Sequence, residues 1–293
     1  GNLRCVIQPE GVKTLAGTGS PSLSTTILNE QCFRYEYDPR NRMILKKVPG
    51  AGEVYMVYDQ RDRLVMTQDA NMRTQQKWMY TSYDALNRPV ATGLLTDPTN
   101  YNNPSYHRSA AANSEAYPNL SNYSFEELTR TFYDDYSWLG TYGNPLPSAY
   151  NNQYDIYFLA ASNTAWPYPQ SNSASNHTRG LTTGTMVKVL GQTGGMGGSQ
   201  GGTTYLYTVS FYDAKGKVIQ VQSTNLSGGT DVVTTQYSWA GQPLIAVQKQ
   251  QVAGVAGQTT IVVSQMTYDE LGRLVKTEKK QSNSQVMVNG VMG

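Results

Sequence analysis

The dipeptide Tyr-Asp occurs seven times in this chain, at 37–38, 58–59, 83–84, 133–134, 154–155, 212–213 and 268–269. Chance pairing of 22 Tyr and 12 Asp over 293 positions would give about one. Five copies continue alike: Tyr37-Asp38-Pro39-Arg40-Asn41-Arg42, Tyr58-Asp59-Gln60-Arg61-Asp62-Arg63, Tyr83-Asp84-Ala85-Leu86-Asn87-Arg88, Tyr212-Asp213-Ala214-Lys215-Gly216-Lys217 and Tyr268-Asp269-Glu270-Leu271-Gly272-Arg273. Asp suits the first position of a type I turn, where its carboxylate accepts the backbone N–H two residues on. The fourth position holds only Asn, Asp or Gly, the residues that tolerate a left-handed backbone. A type I turn followed by a left-handed residue joins the strands of a bulged β-hairpin. The spacing therefore predicts positive φ at Asn41, Asp62, Asn87, Gly216 and Gly272, with a basic residue opening each return strand.

The flanks fit that reading. Phe33, Tyr35 and Tyr37 alternate with Arg34 and Glu36, and Tyr205, Tyr207, Val209 and Phe211 alternate with Leu206, Thr208 and Ser210. Period-2 alternation in aromatic and β-branched residues marks strands. Stacked hairpins would align Tyr, Asp and Arg in ladders. Tyr237-Ser238-Trp239-Ala240-Gly241-Gln242 is a weaker sixth copy, Tyr133-Asp134 is degenerate, and no turn follows Tyr154-Asp155. The expected fold class is mostly β: antiparallel hairpins stacked in a twisted or spiralling sheet, with an irregular insertion carrying minor helix. The organisation reads as a lead-in at 1–32, three hairpins at 33–95, an Asn/Tyr/Gly-rich insertion at 96–203, three hairpins at 204–280 and a tail at 281–293. Short strands are expected at Val6-Ile7 and Thr25–Leu28, and helical pieces around 109–116 and 147–161. One repeat-built body is expected, in which the first hairpins meet those after 204, because an isolated hairpin cannot bury its own apolar face.

Tyr-Asp-x-x-Gly-Arg-Leu is the signature of the YD-repeat, or RHS, family, and Tyr268 to Leu274 resembles it letter for letter. Residues 32–52 are similar to RHS proteins of Bacteroidetes envelopes. The resemblance covers 33–95 and 204–280. It implies a bacterial secreted or cell-envelope protein whose repeats form a spiralling sheet, which in family members closes into a shell able to enclose a C-terminal effector. The partners it implies are other repeats of the same parent, and an effector domain or a surface glycan. The chain is shorter than such a shell and lacks the paired aspartates of the family's self-cleaving core. It opens on Gly1, without a charged-then-apolar leader, and reads as a piece of something longer.

Composition narrows the function classes. A net charge of +2 gives no electrostatic reason to expect nucleic acid, and no apolar run reaches the ~18 residues of a membrane helix. Two His and two Cys, with no familiar ligand spacing, predict no metal and no cofactor. Cys5 and Cys32 could pair or stay free, and a small buried residue is favoured for Cys32. His107 and His177 sit in Asn/Ser-rich segments without a nucleophile elbow. Asp134 and Asp135, with Glu126 and Glu127, read as a solvated acidic loop, and the Gly-rich run 191–202 as a hairpin loop. The sequons at Asn119, Asn122, Asn176 and Asn225 mark surface loops.

No catalytic residue is assigned. The favoured role is a non-enzymatic structural segment of a YD-repeat scaffold. The alternative is a carbohydrate- or protein-binding surface on the aromatic-rich insertion, with Tyr136, Trp138, Trp166 and Tyr168 as its tentative ligand surface. A glycoside-active domain is the remaining rival.

Overall fold

A computed structural model describes residues 1–17, 24–191, 205–253, 258–283, 287–288 and 291–292. It is mostly β. The first elements are β1 (Cys5–Ile7), α1 (Pro9–Gly17), α2 (Thr25–Glu30), β2 (Cys32–Tyr37), β3 (Met43–Lys47), β4 (Val54–Tyr58) and β5 (Leu64–Gln68). There follow α3 (Ala70–Thr74), β6 (Lys77–Tyr83), β7 (Pro89–Thr96), α4 (Pro104–Ala112), β8 (Ser124–Tyr133) and β9 (Thr182–Lys188). The remaining long strands are β10 (Tyr205–Tyr212), β11 (Val218–Thr224), β12 (Thr230–Tyr237), β13 (Pro243–Gln251), β14 (Thr259–Tyr268) and β15 (Leu274–Asn283). A separate pair, β16 (Met287–Val288) and β17 (Val291–Met292), lies in the tail.

The strand order in the fifteen-stranded sheet is the order of the sequence, β1 to β15. Hydrogen-bonded neighbours are therefore consecutive: the hairpins at 33–95 and those after 204 are strands of the same sheet, as expected, without being direct hydrogen-bonded neighbours. The segment 96–203 supplies β8 and β9 of this sheet. Packing divides the chain into two compact units, Gly1–Thr129 and Arg130–Gly293.

Within each unit the strands bury one face. In β7, β10 and β12 buried and part-buried residues alternate with period two, as half-buried strands require. In the first unit the core gathers Val57, Val65, Met66, Trp78, Tyr80 and Leu95, capped by Ala111 of α4. In the second, Phe132 stacks on Trp138 at 3.9 Å between ring centroids, beside Met186, Val209, Phe211 and Ile219. A further cluster there joins Tyr154 to Val232, Leu244, Ile245 and Val247.

Local chemistry explains where strands were expected and helices form. Ser24 Oγ accepts the Ile27 N–H at 3.2 Å and starts α2 at Thr25, so the β-branched run Thr25–Ile27 is helical. Asn103 caps α4 and Pro104 takes its first turn, so this helix begins earlier than the alanines alone suggest. Around 147–161 only a short 3-10 helix forms, at Asn152–Tyr157. Both cysteines are free, Cys32 buried and Cys5 exposed. Most of the Gly-rich run lies outside the described residues, and its flanks pair antiparallel through Val187 and Leu206.

Candidate functional site

All five turn residues have left-handed backbone: φ is 61° at Asn41, 62° at Asp62, 63° at Asn87, 77° at Gly216 and 78° at Gly272. Each turn closes by a bond from this residue's N–H to the Asp carbonyl, as from Asn41 to Asp38 at 2.9 Å and from Gly272 to Asp269 at 2.8 Å. The register slips by one residue just before each repeat Tyr, which is the bulge. The weak copy obeys the same geometry, with Gly241 at φ 90° and Ser238 Oγ accepting the Gln242 N–H. Asp134 also has positive φ but accepts from Gly180 N–H and forms no such hairpin.

One carboxylate oxygen of each Asp accepts two backbone N–H groups, at the second and fourth residues after it. For Asp59 these are Arg61 and Arg63, both at 2.9 Å, and for Asp213 they are Lys215 and Lys217, both at 2.8 Å. In the arginine-bearing repeats the other oxygen takes the guanidinium: Arg42 Nε lies 2.7 Å from Asp38, Arg63 Nε 2.7 Å from Asp59 and Arg88 Nε 2.6 Å from Asp84. Burial opposes ionisation of Asp38, but the N–H and guanidinium of Arg42 outweigh it and hold the pKa below the usual carboxylate range. The same balance, with Arg88, lowers Asp84. The Asp38 and Asp84 carboxylates are thus held by structural bonds that favour the anion, which is the wrong state for a general acid.

A second pattern links each turn to the next. Arg42 lies over the Tyr58 ring at 4.9 Å and donates to Asp62 at 2.6 Å. Arg63 lies over the Tyr83 ring at 4.9 Å and donates to Asn87 at 3.0 Å. Lys217 lies over the Tyr237 ring at 5.4 Å, and its ammonium occupies the space a side chain on Gly241 would need. Gln242 donates to the Gly272 carbonyl at 3.0 Å. In return the Tyr hydroxyl reaches the residue that follows the previous turn's basic or Gln position: Tyr83 to the Leu64 carbonyl at 2.9 Å, Tyr237 to Val218 and Tyr268 to Pro243, both at 3.0 Å. Arg42, Arg63 and Lys217 thus lie over the next repeat's Tyr ring, and the turns at 59–63, 213–217 and 238–242 receive a phenol on their return strands.

The four residues expected to form an aromatic surface separate. Trp138 is buried, stacked on Phe132, with its indole N–H donated to Thr183. Tyr136 packs against the same core and donates to the Ser210 carbonyl, and burial pushes its phenol up to about 12. Trp166 and Tyr168 are 48% and 39% exposed, with centroids 5.8 Å apart, edge to face. Trp239, from the weak repeat turn, lies beside this loop: it is 64% exposed and its backbone N–H donates to the Tyr168 carbonyl at 2.8 Å. Lys215 lies 5.0 Å from its ring centroid. The loop is pinned by bonds from Ser162 N–H to the Pro169 carbonyl and from Gln170 N–H to the Tyr237 carbonyl. Tyr168 adopts φ 57°, which costs a bulky L-residue about 1–2 kcal/mol. Trp239 lies within the weak sixth turn and carries no sequence signal tying it to the insertion.

His107 is fully buried in α4. Its Nδ1 lies 2.7 Å from the Tyr117 hydroxyl and its Nε2 3.4 Å from Asp97, beside the Trp78 ring. Burial lowers its pKa, and the Asp97 charge offsets this only in part. Asp97 also holds the Thr99 and Asn100 N–H groups. These contacts fasten α4 to Tyr117, Asp97 and Trp78. An open hollow of about 850 Å³ nearby holds two carboxylates, Asp84 and Glu115, but Asp84 is bound to Arg88 and Glu115 to Arg61.

No family model matches the chain, and no curated protein matches it. Among solved structures it is similar to TcdB2-TccC3-TEV, at 14% identity and a TM-score of 0.36. It is also similar to the Tc holotoxin pore of Photorhabdus luminescens with a mutated TccC3, at 13% and 0.38, and to TcdB2-TccC3 without its hypervariable C-terminal region, at 14% and 0.35. Each match covers 96% of this chain but 12% of the solved chain.

Proposed function

We propose that this chain is a non-enzymatic wall segment of a larger YD-repeat protein, secreted or borne on the bacterial envelope, in which hairpins engage their neighbours through the turn ladder. The observation that carries this reading is the state of the last turn. The side chains of Arg42 and Arg63, which have a following Tyr to cover, are 20% and 12% exposed. The Arg273 side chain, in the same place on the last described turn, is 74% exposed. Leu274 and Val275 after it are exposed, where Val65 in the place corresponding to Val275 is buried. Half of an interlock is therefore presented to solvent, as a segment meant for a further hairpin would present it. The repeat carboxylates, bound within their turns, fit a scaffold better than an enzyme.

The test is hydrogen exchange on this chain and on a fusion carrying a copy of residues 205–251 after Asn283. The scaffold reading expects β14 and β15 amides to gain protection in the fusion, and an Arg273→Ala substitution there to reduce the gain. Equal exchange in the two proteins would overturn it.

A further inference from the structure

The geometry points to a saccharide-binding site at Trp166, Tyr168 and Trp239, a function separate from the scaffold role. Three exposed aromatic residues lie on a loop and a turn held together by the Pro169–Ser238 bridge and the Gln170-to-Tyr237 bond: the Trp166 and Tyr168 rings meet edge to face, and Tyr168 and Trp239 share a backbone hydrogen bond. The backbone that carries the rings is thus held before a ligand arrives, which lowers the ordering cost of binding. The indole of Trp239 is further oriented by Lys215, whose ammonium also lies 3.3 Å from the Trp239 carbonyl.

The rim decides the ligand class. Gln170 Nε2 donates to Asn163 Oδ1 at 2.8 Å and to the Tyr168 carbonyl at 3.0 Å. Those bonds occupy the Gln170 amide nitrogen and the Asn163 amide oxygen. The Asn163 amide nitrogen and the Gln170 amide oxygen remain as an adjacent donor and acceptor beside Tyr168, with the Ser162 and Thr164 hydroxyls next to them. A vicinal diol needs one donor and one acceptor side by side, and the C–H-bearing face of a pyranose meets the negative face of an aromatic ring. Among these rim residues there is no carboxylate. The polar groups beside Tyr168 are neutral amides and hydroxyls, which pair with sugar hydroxyls.

The experiment is native affinity electrophoresis of the full chain through gels containing xylan, glucomannan, laminarin or polygalacturonate. The expected result is retardation by at least one of them. Trp166→Ala with Trp239→Ala should weaken that retardation at least tenfold, and Asn163→Ala with Gln170→Ala should weaken it while leaving all rings in place. Circular dichroism and melting temperature should be unchanged, because the substituted side chains are exposed or lie at the rim. Absence of retardation by all four glycans, or retardation equal in both double variants and the parent, would overturn the proposal. So would a patch that serves protein contact instead, seen as loss of self-association in the Trp variant with no glycan effect. Any of these outcomes leaves the hydrogen-exchange test of the scaffold reading unaffected.

Discussion

Replacing Asp59 by Ala removes one carboxylate and strands three donors. The Arg61 and Arg63 N–H groups lose their acceptor at 2.9 Å, and the Arg63 guanidinium loses its partner at 2.6 Å. The Asp59 side chain has no exposed surface and that of Arg63 only 12%, so water cannot replace the carboxylate without opening the turn. A buried donor left unpaired costs about 1–3 kcal/mol, and breaking a buried ion pair from one side costs about 3–5 kcal/mol. The two losses share the same group and do not add, so Asp59→Ala should cost about 3–5 kcal/mol in the first unit. For a unit of this size that corresponds to a fall of roughly 10–25 °C in Tm. Asp269→Ala is the internal control, because the Asp269 carboxylate makes the same three kinds of bond, to Leu271 N–H, Arg273 N–H and Arg273 Nε. Its partner is largely exposed, so solvent can substitute and the loss should be a small fraction of that at Asp59. Asp59→Asn keeps an acceptor for the two N–H groups and should fall between them. Differential scanning calorimetry, with urea unfolding as a check, reads all three variants. Equal losses at Asp59 and Asp269, or a loss below about 1 kcal/mol at Asp59, would refute the claim that burial sets the strength of the turn.

At Asn87, with φ 63°, substitution by Gly should be close to neutral and by Ala should cost about 1–2 kcal/mol, measured by urea midpoint; equal effects would show that the left-handed backbone is not the constraint. Burial lowers the His107 pKa, so the unfolded chain takes up the proton first; the His107 contribution is complete above about pH 6.5 and declines as pH falls through the range below it. The lowered pKa values of Asp38 and Asp84 add stability that is present above about pH 3.9 and is lost in more acid solution. Urea midpoints from pH 7.5 to 4.5 should therefore fall in the parent and flatten in His107→Gln, and a flat parent profile would contradict this. A fragment of residues 1–95 lacks Ala111, Tyr117, Leu120 and Tyr123, which complete the first core, and should aggregate or lack a cooperative melt by circular dichroism, whereas 1–129 should melt cooperatively. A cooperative 1–95 would show that α4 and β8 are dispensable.

The repeat was legible because a turn is a local object. Asp at its start, a residue tolerant of positive φ at its fourth position and a basic residue after it answer to backbone sterics and hydrogen bonds within five residues, so Asn41, Asp62, Asn87, Gly216 and Gly272 could be placed from letters alone. A turn with the same bonds at Asn225, whose side chain accepts from Ser227 and Gly229 with Gly228 at φ 81°, went unseen because no Tyr precedes it and its Asn read as a sequon. The segment 96–203 was opaque for a different reason. The part of it between β8 and β9 is fastened by buried glutamines on distant strands: Gln220 exchanges bonds with the Asn151 backbone, and Gln236 with the backbone of Leu159. A lone Gln in a strand carries no mark of which loop it will hold. The same holds for the aromatics, since Trp138 and Trp166 look alike in the sequence. Tertiary packing stacked one on Phe132 and left the other beside Tyr168 in solvent, because burial depends on which surfaces meet and not on residue type.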